Sequence, residues 1–532
     1  MGMTDQIYDY VIVGAGSAGC VLANRLSADP SIRVLLIEAG GPDRNPWIHV
    51  PMGFGKIFGS PRLTWPDMTA PSEGLDGREV ALPYGRVLGG SSSVNGLLYI
   101  RGQREDYDHW CDLGNRGWGY DDMLPLFRRA EDHLAGGDHW HGIGGPVGVS
   151  PQPRHPIADA WIASAGLLQY PVNPDFNGER QEGVGYYETT TRKGRRSSVA
   201  AAYLRPARGR SNLDVVTDAQ AHRIIFDQGR AVAVDYGRRA DVVRAAARRE
   251  ILLCAGAVGS PHLLQLSGVG NPEALRAAGV TPQVASPEVG RNLQDHIRVA
   301  AVFRASRPIT FNDDYNRLWR RVRMGLAYSL FRKGPLTGGA GLAGAFLHSG
   351  AAVPDPDLQV ILQLFSWEGR GLRLHRFSGF ATQVADLRPS SRGTVDIVSS
   401  DPRDRPRIAP NYLSHEDDLR KLVEGLRILR RIAAQSPIAA YIDQEIQPGP
   451  AAMSDADLAA YCRASAVTTF HMAGTCRMGA DAASVVDPQL RVRGVQGLRV
   501  VDASIMPRVV AGNTNAPVIA IAEKAADLIL GG

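Results

Sequence analysis

Tyr8-Asp-Tyr-Val-Ile-Val-Gly-Ala-Gly-Ser-Ala-Gly19 is the stretch on which the fold turns. Tyr10 to Val13 is short, apolar and rich in β-branched residues, as a strand covered on both faces should be, and Gly14, Gly16 and Gly19 follow at once in G-x-G-x-x-G spacing. Gly14 permits a tight turn, Gly16 has no Cβ to hold a pyrophosphate away, and Gly19 lets the next helix pack closely on the strand. The first turn of that helix, from Ser17 and Ala18, then offers backbone N–H groups and a positive dipole end to phosphate.

Working outward, Ala23 to Leu26 continue the helix, and Arg33-Val-Leu-Leu-Ile-Glu38 reads as a second strand closing in an acid. Glu38 lies about twenty residues past the glycine turn, where a carboxylate accepts both hydroxyls of an adenosine ribose. Strand, glycine turn, helix, strand and acid together predict a dinucleotide site. They leave FAD and NAD both open, because the two share one ADP-binding unit.

A chain of 532 residues exceeds the usual size of one hydrophobic core, so two closely connected domains are expected. With 44% apolar and 21% charged residues the composition is that of a soluble globular protein, and a net charge of +5 over this length gives no reason to expect nucleic acid. Cys20, Cys111, Cys254, Cys462 and Cys476 are scattered without a C-x-x-C pair, which points to reduced thiols and not to a disulfide framework or a zinc site. Met1 to Gln6 is polar and the first strand begins immediately, so no signal peptide is expected, and no apolar run reaches transmembrane length. A cytoplasmic protein is the default expectation, with peripheral membrane attachment left open.

Ala39 to Gly59 is rich in Gly and Pro and reads as a long excursion without packed elements. It leads to Gly85-Arg-Val-Leu-Gly-Gly-Ser-Ser-Ser-Val-Asn-Gly96, where Gly89 and Gly90 free the backbone and three serines and Asn95 present small polar groups. Further on, Glu250-Ile-Leu-Leu-Cys-Ala-Gly256 is a second buried strand running into a glycine, followed by Ser260 to Leu266 as a helix with Pro261 in its first turn.

Gly85 to Asp108 resembles the first signature of the glucose-methanol-choline (GMC) oxidoreductases, and Gly256-Ala-Val-Gly-Ser-Pro-His-Leu-Leu-Gln-Leu-Ser-Gly-Val-Gly270 the second. The resemblance extends over essentially the whole chain and implies FAD as cofactor. It implies an α/β architecture with a Rossmann-like FAD-binding domain from residues 1–155, 200–300 and 465–532. A second, substrate-binding domain built on an antiparallel sheet with helices would take 156–199 and 301–464. Around the cofactor it places Gly14, Gly16, Ser17, Ala18, Gly19, Glu38, Ala39, Arg86, Gly89, Gly90, Ser91, Asn95, Gly96, the backbone of Ala221, Gly256, Asp502, Ala503 and Asn515. Where some members carry a histidine covalently bonded to flavin this chain has Val94, so the FAD is expected to be non-covalent.

Thr468-Thr-Phe-His-Met-Ala-Gly-Thr-Cys-Arg-Met-Gly479 is similar to the family's catalytic-base segment, and Pro507-Arg-Val-Val-Ala-Gly-Asn-Thr-Asn-Ala-Pro517 to the segment that carries a second polar residue. His471 is accordingly the candidate base and Asn513 the candidate alkoxide donor. Asn515 is the near alternative to Asn513, with a contact to the flavin the better fit. Imidazole can take an alcohol proton near neutral pH when its neutral form is populated, and an amide N–H stabilises an alkoxide without ionising. Pro517 to Leu530 is expected to be a helix whose N-terminus favours negative charge on the reduced ring. Thr469 and Phe470 flank the reactive face by resemblance, and Phe365, on the alternating strand Asp357 to Phe365, is a candidate substrate contact with Phe470.

The other clusters have plainer explanations. His133, His139 and His141 lack metal-ligand spacing and read as a solvated loop. Arg192-Lys-Gly-Arg-Arg-Ser197 reads as a solvated charge run, and Gly290-Arg-Asn-Leu-Gln-Asp-His296 as a structural turn. Ser414 is a candidate N-cap for the helix carrying Leu419, Leu422, Leu426 and Leu429. Arg317 to Lys333 is basic and amphipathic, either laid across the second domain with its arginines in water or lying on a membrane surface. The expected activity is oxidation of a primary alcohol, aryl or alkyl, with O2 or a quinone as acceptor. A redox-silent hydroxynitrile lyase, an NAD-dependent dehydrogenase and a non-catalytic flavin binder are the alternatives.

Overall fold

The structure is a computed structural model that describes residues 6–238, 241–368 and 373–531. Its first sheet grows from the strand Gln6–Val13, which has Val34–Ile37 on one side and Asp241–Leu253 on the other, both parallel to it. Leu213–Val216 extends the parallel set beyond Val34–Ile37, and Leu498–Val500 joins Asp241–Leu253 from the far end of the chain. Gln220–Asp227 and Arg230–Arg238 add an antiparallel edge. Val11, Ile12, Val34, Leu35, Leu36, Ile251 and Leu252 are fully buried, because helices cover both faces of the parallel strands.

One of those helices, Ser17–Leu26, packs against the final helix, Asn515–Leu530. Arg25 and Arg129 clamp Glu523 between them at 2.7 and 2.9 Å, and Tyr203 donates to the same carboxylate. Glu523 is fully buried, so these donors offset the cost of taking its charge out of water.

The second sheet is antiparallel, in the order Ile442–Gln447, Ile297–Ala305, Gly379–Asp386, Leu358–Gln363, Ala343–Leu347, Gly183–Tyr186. Helix Glu416–Ala433 lies across it and buries Leu422, Leu426, Leu429 and Ile432. Gly425 lets it come close, since a Cβ there would stand 2.6 Å from Val384. The two sheets have separate hydrophobic cores.

Several local expectations are corrected. The cap of helix Glu416–Ala433 is the His415 side chain, which accepts from the Asp417 N–H, and not Ser414, whose hydroxyl bonds Ser391. Helix Gly256–Leu266 begins earlier than expected and puts Pro261 inside it, while the final helix begins at Asn515. Residues 39–59 contain short helical turns at Pro46–His49, Pro51–Gly53 and Phe54–Ile57. The histidine loop is ion-paired. His133 bonds Glu188, and His141 is buried between Glu131 and Asp175, which against the pull of burial push it up to about 9. Nor is the 192–197 run solvated throughout, as Arg196 is buried.

Candidate active site

A cavity of about 760 Å³ opens between the two sheets. One end is made of backbone. Gly14, with φ +99°, turns the chain out of the first strand, and a Cβ on it would stand 2.5 Å from the Cys254 carbonyl. A Cβ on Gly19 would sit 1.9 Å from the Gly14 carbonyl, so Gly19 lies beneath the turn and not in the cavity wall. At Gly16 the nearest atom to a Cβ is 3.8 Å away, and this residue faces the cavity with Gly14, Ser17 and Ala18. Gly90 packs its own backbone on Gly16, where a Cβ would meet Gly16 Cα at 2.7 Å.

Ser91, Asn95 and Gly96 continue the wall, as do Ala39, Ala221, Gly256, Ala503 and Asn515. Gly89 and Arg86 do not reach it. Gly89 is a turn residue with φ +89°, and the Arg86 guanidinium lies over the Trp65 ring at 4.4 Å. Sequence reasoning missed what fastens this loop. Arg196 donates to Ile48 O, Ser92 O, Asn95 Oδ1 and Asn95 O, and burial pulls its pKa down to about 9. Only its place in a run of charges could have drawn attention to it.

These residues fit an anionic dinucleotide. Helices Ser17–Leu26 and Asn515–Leu530 both begin at the cavity, neither has a side-chain cap, and neither carries an acid in its first turn. Ser17 Oγ donates to Asn515 Oδ1 at 2.7 Å and locks the two N-termini side by side, leaving two positive dipole ends for phosphate or a charged ring edge. Glu38 accepts from Ala15 N at 2.9 Å and Gly40 N at 2.8 Å, one on each oxygen, so each oxygen keeps a lone pair for a ribose hydroxyl. Burial raises Glu38 to about 7 against these donors. Asp502 lines the cavity too and is tied to a second helix. One of its oxygens accepts from Gly256 N and Ser260 Oγ and the other from Ser504 N, so its carboxylate caps the helix Gly256–Leu266.

At the other end the cavity wall carries side chains. Asn513 Nδ2 lies 3.1 Å from His471 Nε2. The orientation of that amide is set by Gln359, which donates to Asn513 Oδ1 at 3.1 Å. His471 Nε2 therefore accepts, and its proton is on Nδ1, 3.0 Å from both Thr469 Oγ1 and His296 Nδ1. Thr469 can accept because its own hydroxyl donates to the His296 carbonyl. Below the ring, the His471 N–H donates to Asp295 at 2.7 Å, and Asp295 also accepts from Tyr412 and Thr468. Burial raises Asp295 to about 6. The turn 290–296 thus holds a connection as expected, but that connection is to the candidate base, a contact the sequence did not reveal.

Burial, reinforced by His296 and Arg298, holds His471 well below the ordinary histidine value, and burial takes His296 down to about 3. Both rings are neutral at neutral pH. Phe470, just before the base, takes φ +65°, a conformation uncommon for a bulky residue and one that is stored at functional sites. Phe470 and Phe365 both line the cavity with Trp367, Val299, Ala300 and Val302. Arg298 also faces it, bonded to Gln383, which in turn donates to Gln363 at 2.7 Å. Burial lowers Arg298 to about 10, leaving it charged at neutral pH.

Comparison with known proteins places this arrangement. The profile described as GMC oxidoreductase matches residues 8–298 with its N-terminal part and 389–522 with its C-terminal part. Over 528 residues the chain is 42% identical to an alcohol dehydrogenase (acceptor) of Pseudomonas putida, covering 98% of this chain and 96% of that protein. It is also 42% identical over 538 residues to the mitochondrial choline dehydrogenase of Homo sapiens, covering 98% and 90%. Among solved structures, pyridoxine 4-oxidase from Mesorbium loti superposes with a TM-score of 0.89 at 34% identity, covering 98% of both chains.

Proposed function

Since the chain belongs to the GMC oxidoreductase family, and is an FAD-dependent oxidoreductase acting on CH–OH groups, we propose that it oxidises a primary alcohol to an aldehyde with His471 as base. FAD, when bound there, would supply the hydride acceptor for the carbinol carbon, with O2 or a quinone-type compound as the final electron acceptor. With Val94 where covalent members have histidine, it is held without a covalent bond. Segments 1–155, 200–300 and 465–532 hold it, and segments 156–199 and 301–464 complete the alcohol site.

The observation that carries this reading is the pairing of His471 Nε2 with Asn513 Nδ2 in the wall of the cavity that begins at the glycine turn. The Nε2 lone pair receives the hydroxyl proton. The Asn513 amide, with two N–H groups and its oxygen tied to Gln359, donates to the alkoxide as charge develops. Thr469 and His296 hold the imidazole in the tautomer whose lone pair is on Nε2, where the alcohol hydroxyl takes the place of the Asn513 N–H. Asn515, spent on Ser17, belongs to the cofactor seat.

Charge selects among alcohols. The carboxylates lining the cavity are Glu38, Glu79 and Asp502, of which Glu38 and Asp502 sit in the dinucleotide seat and Glu79 is exposed. Of the groups that line the cavity beside His471 the ionised one is the Arg298 cation, while the Asp295 carboxylate lies beneath the ring and outside the wall. A quaternary ammonium substrate is therefore disfavoured and a neutral one accepted. The test is anaerobic mixing of the yellow enzyme with choline and with its uncharged isostere 3,3-dimethylbutanol. The neutral alcohol should bleach the flavin with a kcat/KM on the order of a hundredfold higher. Failure of every primary alcohol to bleach the flavin rules out alcohol oxidation, and faster bleaching by choline rules out the role of Arg298.

A further inference from the structure

Leu318–Phe331 is a helix of 14 residues that uses only Met324 and Tyr328 to seat itself on the protein. Leu318, Trp319, Val322, Leu326, Leu330 and Phe331 are between 52% and 69% exposed, the densest run of exposed large apolar side chains among the described residues. At 100° per residue Leu318, Val322, Leu326, Trp319 and Leu330 share an arc of about 120°, and Met324 and Tyr328 lie on the opposite side. The apolar stripe therefore points away from the body of the protein. This reverses the ordinary expectation for an amphipathic helix, in which the apolar face is turned inward.

Cations frame the stripe. Arg317, Arg320, Arg321, Arg323, Arg332 and Lys333 surround it, and no Asp or Glu occurs between Tyr315 and Pro354. The Arg320 and Arg323 guanidinium groups stand 5.3 and 5.2 Å from the Trp319 ring centre, so the aromatic ring and its cations form one patch. Such a patch pairs an apolar face with a basic rim, the combination that lies in the plane of an anionic lipid surface. A second copy of the chain is the wrong occupant, because a two-fold contact through this helix would bring two basic rims together, and Asp314, 3.8 Å from Arg320 of its own chain, offsets only part of their charge.

We infer that helix Leu318–Phe331 docks the enzyme on an anionic bilayer surface, with Trp319, Val322, Leu326 and Leu330 entering the acyl boundary and the arginines meeting lipid phosphates. Among the described residues no helix is long and apolar enough to cross a membrane, so this contact is peripheral. It also places the alcohol site near the lipid. The preceding helix Phe311–Asn316 sets its Phe311 ring 6.3 Å from the cavity-lining Phe365.

The experiment is co-sedimentation of the FAD-loaded enzyme with vesicles of phosphatidylglycerol and phosphatidylcholine in equal parts, and with phosphatidylcholine alone. The wild type should sediment with the anionic vesicles and lose most of that binding at high salt. Val322→Glu with Leu326→Glu should lower the partition coefficient by about tenfold or more, and Arg321→Glu with Arg323→Glu should do the same on anionic vesicles. Both pairs should keep their flavin and their bleaching by soluble alcohol, which separates lost docking from lost folding. Wild-type enzyme that stays in the supernatant, or substituted enzyme that sediments with it, overturns the inference. So does a wild-type dimer in sedimentation velocity that the apolar substitutions turn into monomers, since a second copy would then cover the stripe.

Discussion

At the dinucleotide end of the cavity the wall is mostly main chain from short continuous runs, Gly14 to Ala18 and Gly90 to Gly96 foremost, and the residues without side chains do most to shape it. Around His471 the wall is side chains from segments far apart in the chain, with His296, Gln359, Thr469 and Asn513 each touching the base or the amide that faces it. At Gly14, Gly19 and Gly90 the first end tolerates no added atom. The second can lose a side chain and keep its shape, but not its pattern of donors and acceptors. Substitutions at the first should therefore act all or none on cofactor content, and those at the second should be graded and confined to rate.

The largest effect is expected from Gly19→Val, whose Cβ would collide with the Gly14 carbonyl. The purified protein should lack flavin absorbance while circular dichroism shows the rest folded, and a normally yellow Gly19→Val protein would end the distinction between the two ends. Next is His471→Ala, which should retain FAD and slow anaerobic flavin reduction by about two to four orders of magnitude. Loss of flavin from that variant would mean that the base also builds the cofactor seat. Asn513→Ala should raise the barrier by roughly 3 kcal/mol, and Asn515→Ala should affect FAD affinity more than the rate of reduction. If the two asparagines behave the other way round, the division between cofactor seat and proton-transfer site has been drawn in the wrong place.

Gln359→Leu should cost about tenfold in reduction rate with little change in KM, because it frees the Asn513 amide to turn without removing it. Acidity gives the mildest test. His471 must be neutral to act, and its pKa in the protein lies below the ordinary value, so it stays neutral as pH falls past the usual histidine range. Reduction by a saturating alcohol should hold level down to about pH 6.5 and decline only below it. A decline that begins above that value would show that the imidazole is not held in a desolvated site.

The contrast also explains how much could be read from the sequence. The glycine turn, the strand before it and Glu38 form one local unit whose steric requirements appear as a spacing, so the parallel sheet and its ligand end were legible. His471 and Asn513 were proposed through resemblance to a family, and the structure brings their side chains to 3.1 Å. Gln359 was not, because its role depends on strand Leu358–Gln363 standing beside Gly379–Asp386 in a particular register, which no local pattern encodes. The tie that Asp502 makes was hidden for a related reason. An acid after a strand looks the same whether it meets a ligand or caps a helix, and here the helix it caps begins at Gly256 in another part of the chain. Arg196 was hidden by its neighbours, since Lys193 and Arg195 beside it are ordinary surface charges.

The first sheet is completed by Leu498–Val500, and the helix Ser17–Leu26 is backed by Asn515–Leu530 and tied to it through Ser17 and Asn515. A ribosome making this protein therefore releases the glycine turn about five hundred residues before its mate. Until helix Asn515–Leu530 emerges, the nascent polypeptide has half of a phosphate seat and nothing to close it. Flavin capture thus waits on that helix, and a chain cut short before it would be left for proteases with its first core incomplete.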